Sequence, residues 1–76
     1  MNHCIINVVE KSIFVAFNEI VDQGYITVWK LNGKEKPIIK KEIINTNFQN
    51  INLDNGKYRV EIDIDGQQII KTININ

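Results

Sequence analysis

The chain has 76 residues, enough for one domain spanning residues 1–76, and its nine basic and nine acidic side chains leave no net charge. Nucleic-acid binders and anionic-membrane binders carry a basic excess, so this balance argues against both classes. A single cysteine excludes an internal disulfide, and stability must come from an apolar core rich in isoleucine, whose β-branched side chain favours strands.

The front half of the chain contains three predicted strands. Cys4–Val9 forms the first by default, and residues 13–17 form the second. The second is apolar on both faces, which predicts a central strand or one covered on both sides. Residues 18–24 are expected to form one short turn at most. The third strand covers residues 25–31, and the Asn32-Gly33 pair is expected to turn the chain after it.

Two segments suit the edges of a sheet. Residues 38–44 form a weaker strand behind Pro37 and carry Lys40 and Lys41. Proline and lysine in this position protect an edge against unwanted pairing. The apolar first strand, Cys4–Val9, can pair either within one chain or between chains.

The back half predicts a three-stranded meander over residues 50–53, 58–64 and 69–75. Its middle strand has the clearest alternation of the chain, apolar on one face and charged on the other. The alternating residues are Tyr58, Arg59, Val60, Glu61, Ile62, Asp63 and Ile64. Asn55-Gly56 and Asp65-Gly66 flank this strand, and both pairs favour the positive φ angles of tight hairpins.

Seven short strands with regular turn signals predict an all-β fold. The spacing of about 8–12 residues is typical of an antiparallel, immunoglobulin-like sandwich of about seven strands. A barrel with a similar number of strands is the alternative. In either case the chain forms a single β domain.

The spacing of Leu53, Gly56, Tyr58 and Val60 resembles that of immunoglobulin-like and fibronectin-type-III-like sandwiches. In such a segment we expect the Tyr58 ring to pack on the core and its hydroxyl to bond a nearby backbone group. The tail is also similar to the C-terminal sorting domains of bacterial type IX secretion cargo and to small secreted sandwich domains from the same bacteria. This resemblance covers about residues 13–75 and implies no catalytic residue.

No group of residues specifies a reaction, a cofactor or a metal. His3 and Cys4 are the only histidine and cysteine, whereas a zinc site needs about four ligands. Ser12, the only serine, has His3 as its only candidate base, and nothing in their spacing forms a hydrolase triad. Residues 63–66 resemble half of a calcium loop, but the closing glutamate is missing, and a hairpin is the simpler interpretation. We therefore expect no enzyme.

Tyr25 and Trp29 are the candidate partner contacts. They share a strand face with Thr27, opposite Ile26 and Val28. If the two aliphatic residues face the core, the aromatic rings face outward and could contact protein or carbohydrate, with Phe48 as a further member of the platform. The alternative is that this strand is covered on both faces, because aromatic side chains bury most of the area in small cores.

These observations favour a non-enzymatic binding or accessory module. The alternative is a self-associating structural unit, a homo-oligomer that adds strand to strand through its edges. The first residues lack a basic segment followed by a long apolar run, so we expect a soluble chain without a signal peptide. If the chain is a processed fragment, it would be secreted or displayed on a cell surface.

Overall fold

The computed structural model describes residues 3–31 and 37–76, which form five strands and no helix. All strand pairs are antiparallel, so the all-β prediction is confirmed. The strands are β1 (Cys4–Val9), β2 (Ser12–Lys30), β3 (Pro37–Asn52), β4 (Gly56–Ile64) and β5 (Gln67–Ile75).

Strand β2 organises the sheet because three other strands pair with it. Its first half lies between β1 and β3, so that Ile13 faces both Val8 and Ile51. Its second half lies between β4 and β3. Since β3 follows one edge of β2 throughout, β1 and β4 occupy the other edge one after the other, and β5 pairs with the outer edge of β4.

The prediction of seven strands is wrong, because two pairs of predicted strands are continuous. The segments at 13–17 and 25–31 belong to β2, and those at 38–44 and 50–53 belong largely to β3. Residues 18–24 do not form a turn but stay extended. Within them the register changes: Ala16 pairs with Phe48 but Val21 pairs with Thr46, so four residues of β2 lie opposite one residue of β3. Surplus residues of this kind bend a strand and increase its twist.

This bend curls the sheet into an open half-barrel, where a two-sheet sandwich was expected. At about 3.3 Å per residue, a straight β2 of 19 residues would be about 60 Å long, but the longest extent of the molecule is 32 Å. The chain after β3 confirms the fold-back. Asn52 lies beside Ser12 at one end of β2, and after only three intervening residues β4 begins near Lys30 at the other end.

The predicted meander is therefore only half correct. β4 and β5 form the expected hairpin, and Asp65 and Gly66 have φ angles of 50° and 73°, as a turn with two positive φ angles requires. However, β3 and β4 do not pair with each other, so Asn55-Gly56 lies in a crossover and not in a hairpin. The Asn32-Gly33 turn lies outside the described residues.

The core fills the concave side of the curl. In β4 the core-facing residues follow the predicted alternation, and all four are buried. In β2 they are odd-numbered as far as Val21 and even-numbered from Gly24 onward, so the phase of the pattern changes within the bend. The largest fully buried side chains are Tyr58, Ile13, Ile26, Ile43, Ile62, Ile64, Ile75, Val15, Val21, Val28 and Val60.

Candidate contact surfaces

The second half of β2 places Tyr25 and Trp29 on the convex side of the sheet. Ile26 and Val28 are fully buried on the concave side, so the condition for outward-facing rings is met. Neighbouring strands supply charged side chains: Glu42 lies opposite Tyr25, and Arg59 lies opposite Trp29. We call Tyr25, Trp29, Lys40, Glu42, Arg59 and Glu61 the charged aromatic face.

Both rings of the charged aromatic face are covered by a cation. Lys40 Nζ lies 5.1 Å from the centre of the Tyr25 ring, and Arg59 Cζ lies 5.0 Å from that of Trp29. Glu61 holds the guanidinium, with Oε2 at 2.8 Å from Arg59 Nε, a charge contact without the alignment of a hydrogen bond. Cations over ring faces are attracted by about 0.5–1 kcal/mol at exposed sites. A sugar could stack on these rings only by displacing the cations.

Phe48 does not join Tyr25 and Trp29, so the platform of three aromatic residues is wrong. Phe48 lies opposite Ala16, in the half of the sheet before the bend. Its ring packs at a tilt against Phe14, with 5.9 Å between the ring centres. The two aromatic clusters therefore belong to different halves of the convex surface.

Around Phe48 the convex side is apolar, and sequence reasoning missed this surface. Ile5, Ala16 and Phe48 form one row across β1, β2 and β3, and Phe14 lies in the next row, between Asn7 and Asn50. Ile5 is 64% exposed and Phe48 is 48% exposed. With Val9, also exposed at the end of β1, these five residues form what we call the apolar face. In the sequence, only the second apolar side of the segment at 13–17 indicates that such a face exists.

Strand β1 borders the apolar face and has an unpaired outer edge within the part of the chain that the structure describes. His3 O accepts a hydrogen bond from Asn18 N, so the backbone of His3 points toward β2. Backbone groups alternate along an antiparallel strand. Those of Ile5, Asn7 and Val9 therefore bond β2, while the N–H and C=O groups of Cys4, Ile6 and Val8 point away from the sheet.

The other two free edges carry features that discourage pairing. β3 begins at Pro37 and includes Lys40 and Lys41, and Asn45 has a φ of 47°. This confirms the prediction that residues 38–44 form an edge. On β5, the exposed Lys71 lies in the same row as Ile69 and Ile73, and a charge in the core-facing row of an edge strand discourages the addition of a further strand. β1 has no charge, no proline and no bulge between Cys4 and Val9.

The residues considered for chemistry lie apart from one another. His3 adjoins Asn18, whereas Ser12 is at the other end of the β1–β2 hairpin, where its Oγ donates to Asn52 Oδ1 at 2.6 Å. Burial raises the pKa of the Cys4 thiol, against a smaller opposing effect of the Lys71 charge. Among residues 3–31 and 37–76, no three histidine, cysteine or acidic side chains are close enough together to hold a metal ion.

A pocket of about 640 Å³ opens beside the β1–β2 turn. Its lining includes Glu10, Lys11 and Asp54, which are exposed side chains of both signs. It lacks the apolar lining with a few convergent polar groups that is typical of small-molecule sites. In the described part of the chain, no helix has the length and hydropathy needed to cross a membrane.

Comparison of the chain with protein-family models and with curated proteins finds no match. The surfaces described above are therefore the basis for a functional proposal.

Proposed function

We propose that the chain is a non-enzymatic binding module that takes up a protein partner by strand addition along β1. The observation that carries this proposal is the contrast between the three free edges. β3 carries Pro37, two lysines and a register irregularity, and β5 carries Lys71, while β1 presents the unpaired backbone groups of Cys4, Ile6 and Val8 without any such protection. An open edge of this kind is a template for an extended segment of another chain.

The apolar face supports the same proposal because it extends the contact beyond the strand edge. Side chains of an added strand would lie beside Ile5 and Val9 on the convex side. Phe14 and Phe48 continue the apolar surface across the sheet. Backbone hydrogen bonds would then supply affinity, and side-chain contacts on this face would supply specificity.

The charged aromatic face is a second candidate contact. Tyr25 is 37% exposed on the central strand, and its hydroxyl lies 3.5 Å from Glu42 Oε2. The covering cations favour a protein with acidic groups over a carbohydrate, because a sugar needs an open ring face.

A peptide titration tests the main proposal. The probe is a peptide with the sequence of residues 4–9 and serine in place of Cys4, with a dye joined to its N-terminal amine and an amidated C-terminus. We expect binding to the wild-type protein and to Val8→Ala, and at least about tenfold weaker binding to Val8→Pro, since only proline removes the outward N–H. Proline should leave the fold intact because the Val8 N–H has no bond to lose within the chain.

Fluorescence anisotropy gives the affinities, and the emission of Trp29, the only tryptophan, reports on the charged aromatic face. Equal binding to Val8→Pro and Val8→Ala would refute strand addition at β1. If that binding also shifted the Trp29 emission, the contact would lie on the charged aromatic face.

A further inference from the structure

We propose that the partner on β1 is a second copy of this chain, paired antiparallel about a twofold axis at Ile6. This inference rests on the proposed function, since it needs an open β1 edge, and it adds the identity and register of the added strand. The resulting dimer would have one continuous sheet of ten strands.

The direction of the backbone groups fixes the register. Within β1, Cys4, Ile6 and Val8 are the residues whose N–H and C=O groups are free, so residues of this set must face one another across the new pair. Placing Ile6 opposite Ile6 of the second copy brings Cys4 opposite Val8 and Val8 opposite Cys4. All three residues of each strand are then bonded, giving six hydrogen bonds, whereas a shift by two residues loses one of the three facing pairs.

The side chains of β1 suit a copy of themselves. No charge lies between Cys4 and Val9, so twofold pairing brings no like charges together. On the convex side, Ile5 of each chain lies beside Asn7 of the other, and the two apolar faces become neighbours on one surface. A twofold interface requires a self-complementary patch of this kind.

Charge at the level of the whole chain does not oppose the dimer. Nine basic and nine acidic residues leave two copies without net repulsion. Uncharged β-prone segments on an open edge are also the segments most prone to pair with other chains. A closed twofold dimer pairs the β1 edge in both copies, and among the described strands it leaves only the protected edges of β3 and β5 unpaired.

The native mass tests the dimer. Light scattering after size exclusion should give twice the chain mass of 8.8 kDa for the wild-type protein and Val8→Ala at about 100 µM. Val8→Pro should give the monomer mass at the same concentration, because each proline removes one of the bonded N–H groups. A wild-type monomer over the whole micromolar range would overturn the proposal, as would a dimer that survives Val8→Pro.

A cross-link tests the register. In the proposed pair, Val8→Cys places a thiol opposite Cys4 of the second copy, at the Cα separation of about 5.5 Å that a disulfide accepts. Oxidised glutathione as the oxidant takes two electrons and two protons from each thiol pair. We expect Val8→Cys to form covalent dimers much faster than Val9→Cys, whose side chain lies on the other face and outside this pair. Equal rates would overturn the register.

Strand addition at β1 and self-pairing of β1 can be told apart by these measurements. If the peptide binds in a Val8-dependent manner while the chain stays monomeric and uncross-linked, self-pairing is wrong and strand addition by another protein stands. If peptide binding is absent as well, both are wrong.

Discussion

At the scale of single residues, Tyr58 shows most clearly how the sequence specifies the fold. Its side chain is only 2% exposed, and its hydroxyl donates a 2.7 Å hydrogen bond to Asp54 O. This is the backbone bond expected from the spacing of Gly56 and Tyr58, and the expectation is confirmed. The bond anchors the crossover between β3 and β4 to the core, where the chain changes from one edge of β2 to the other.

Replacing Tyr58 by phenylalanine should cost about 1 kcal/mol of unfolding free energy at pH 7, the typical contribution of one hydrogen bond. Burial and the nearby Asp54 charge raise the pKa of the Tyr58 phenol above its usual value of 10.0. The unfolded chain therefore ionises first, and the stability contributed by this group is present below pH 10 and lost as pH rises through the folded-state pKa. Urea unfolding at pH 7, 9 and 10.5 should show the gap between wild type and Tyr58→Phe shrinking at the highest pH. A constant gap would contradict this.

At the scale of elements, local pattern predicted the strands well and the connections poorly. Residues 58–64 alternate strictly, and Asp65-Gly66 needs no distant contact to turn. The sequence therefore predicts both the strand and the hairpin that follows it correctly. The bend region of β2 contains Asn18, Asp22 and Gly24, all residue types that favour turns, yet the chain stays extended there. The bend depends on the register with β3, which local pattern does not reveal. The buried positions change from odd-numbered to even-numbered between Val21 and Gly24, and this change indicates the bend. It can be recognised in the sequence only if residues 12–30 are assumed to form one continuous strand.

β2 and β4 are in tight contact at Gly24. A Cβ on Gly24 would lie 2.6 Å from the backbone oxygen of Asp63 and 2.6 Å from Ile64 Cγ2. Since the backbone cannot move aside without opening the β2–β4 pair, Gly24→Ala should lower the unfolding free energy by about 1–3 kcal/mol. Thermal or urea unfolding measures the loss, with Gln23→Ala, at the exposed neighbouring position, as the control. An unchanged midpoint for Gly24→Ala would show that the two strands pack more loosely.

At the scale of the whole molecule, the curl decides which surfaces are available. Alternation placed Tyr25 and Trp29 on the face opposite Ile26 and Val28, but it left open whether that face is covered. The burial of Ile26 and Val28 on the concave side decides the question. The apolar face could not be predicted in this way, since Phe14 and Phe48 meet only through pairing of β2 with β3. The resemblance to secreted sandwich domains stays a prediction: the Tyr58 bond is present, but five strands replace the expected seven.

The central claim is that β1 has an open edge, which a second copy fills. Hydrogen exchange of single amides, read by mass spectrometry with electron-transfer fragmentation, tests it directly. At about 1 µM we expect fast exchange at Cys4, Ile6 and Val8 and slow exchange at Ile5, Asn7 and Val9, and at about 200 µM the first three should also become slow. Fast exchange of the first three at every concentration would contradict self-pairing. Slow exchange at a dilution where light scattering gives the monomer mass would show that the edge is already covered within one chain.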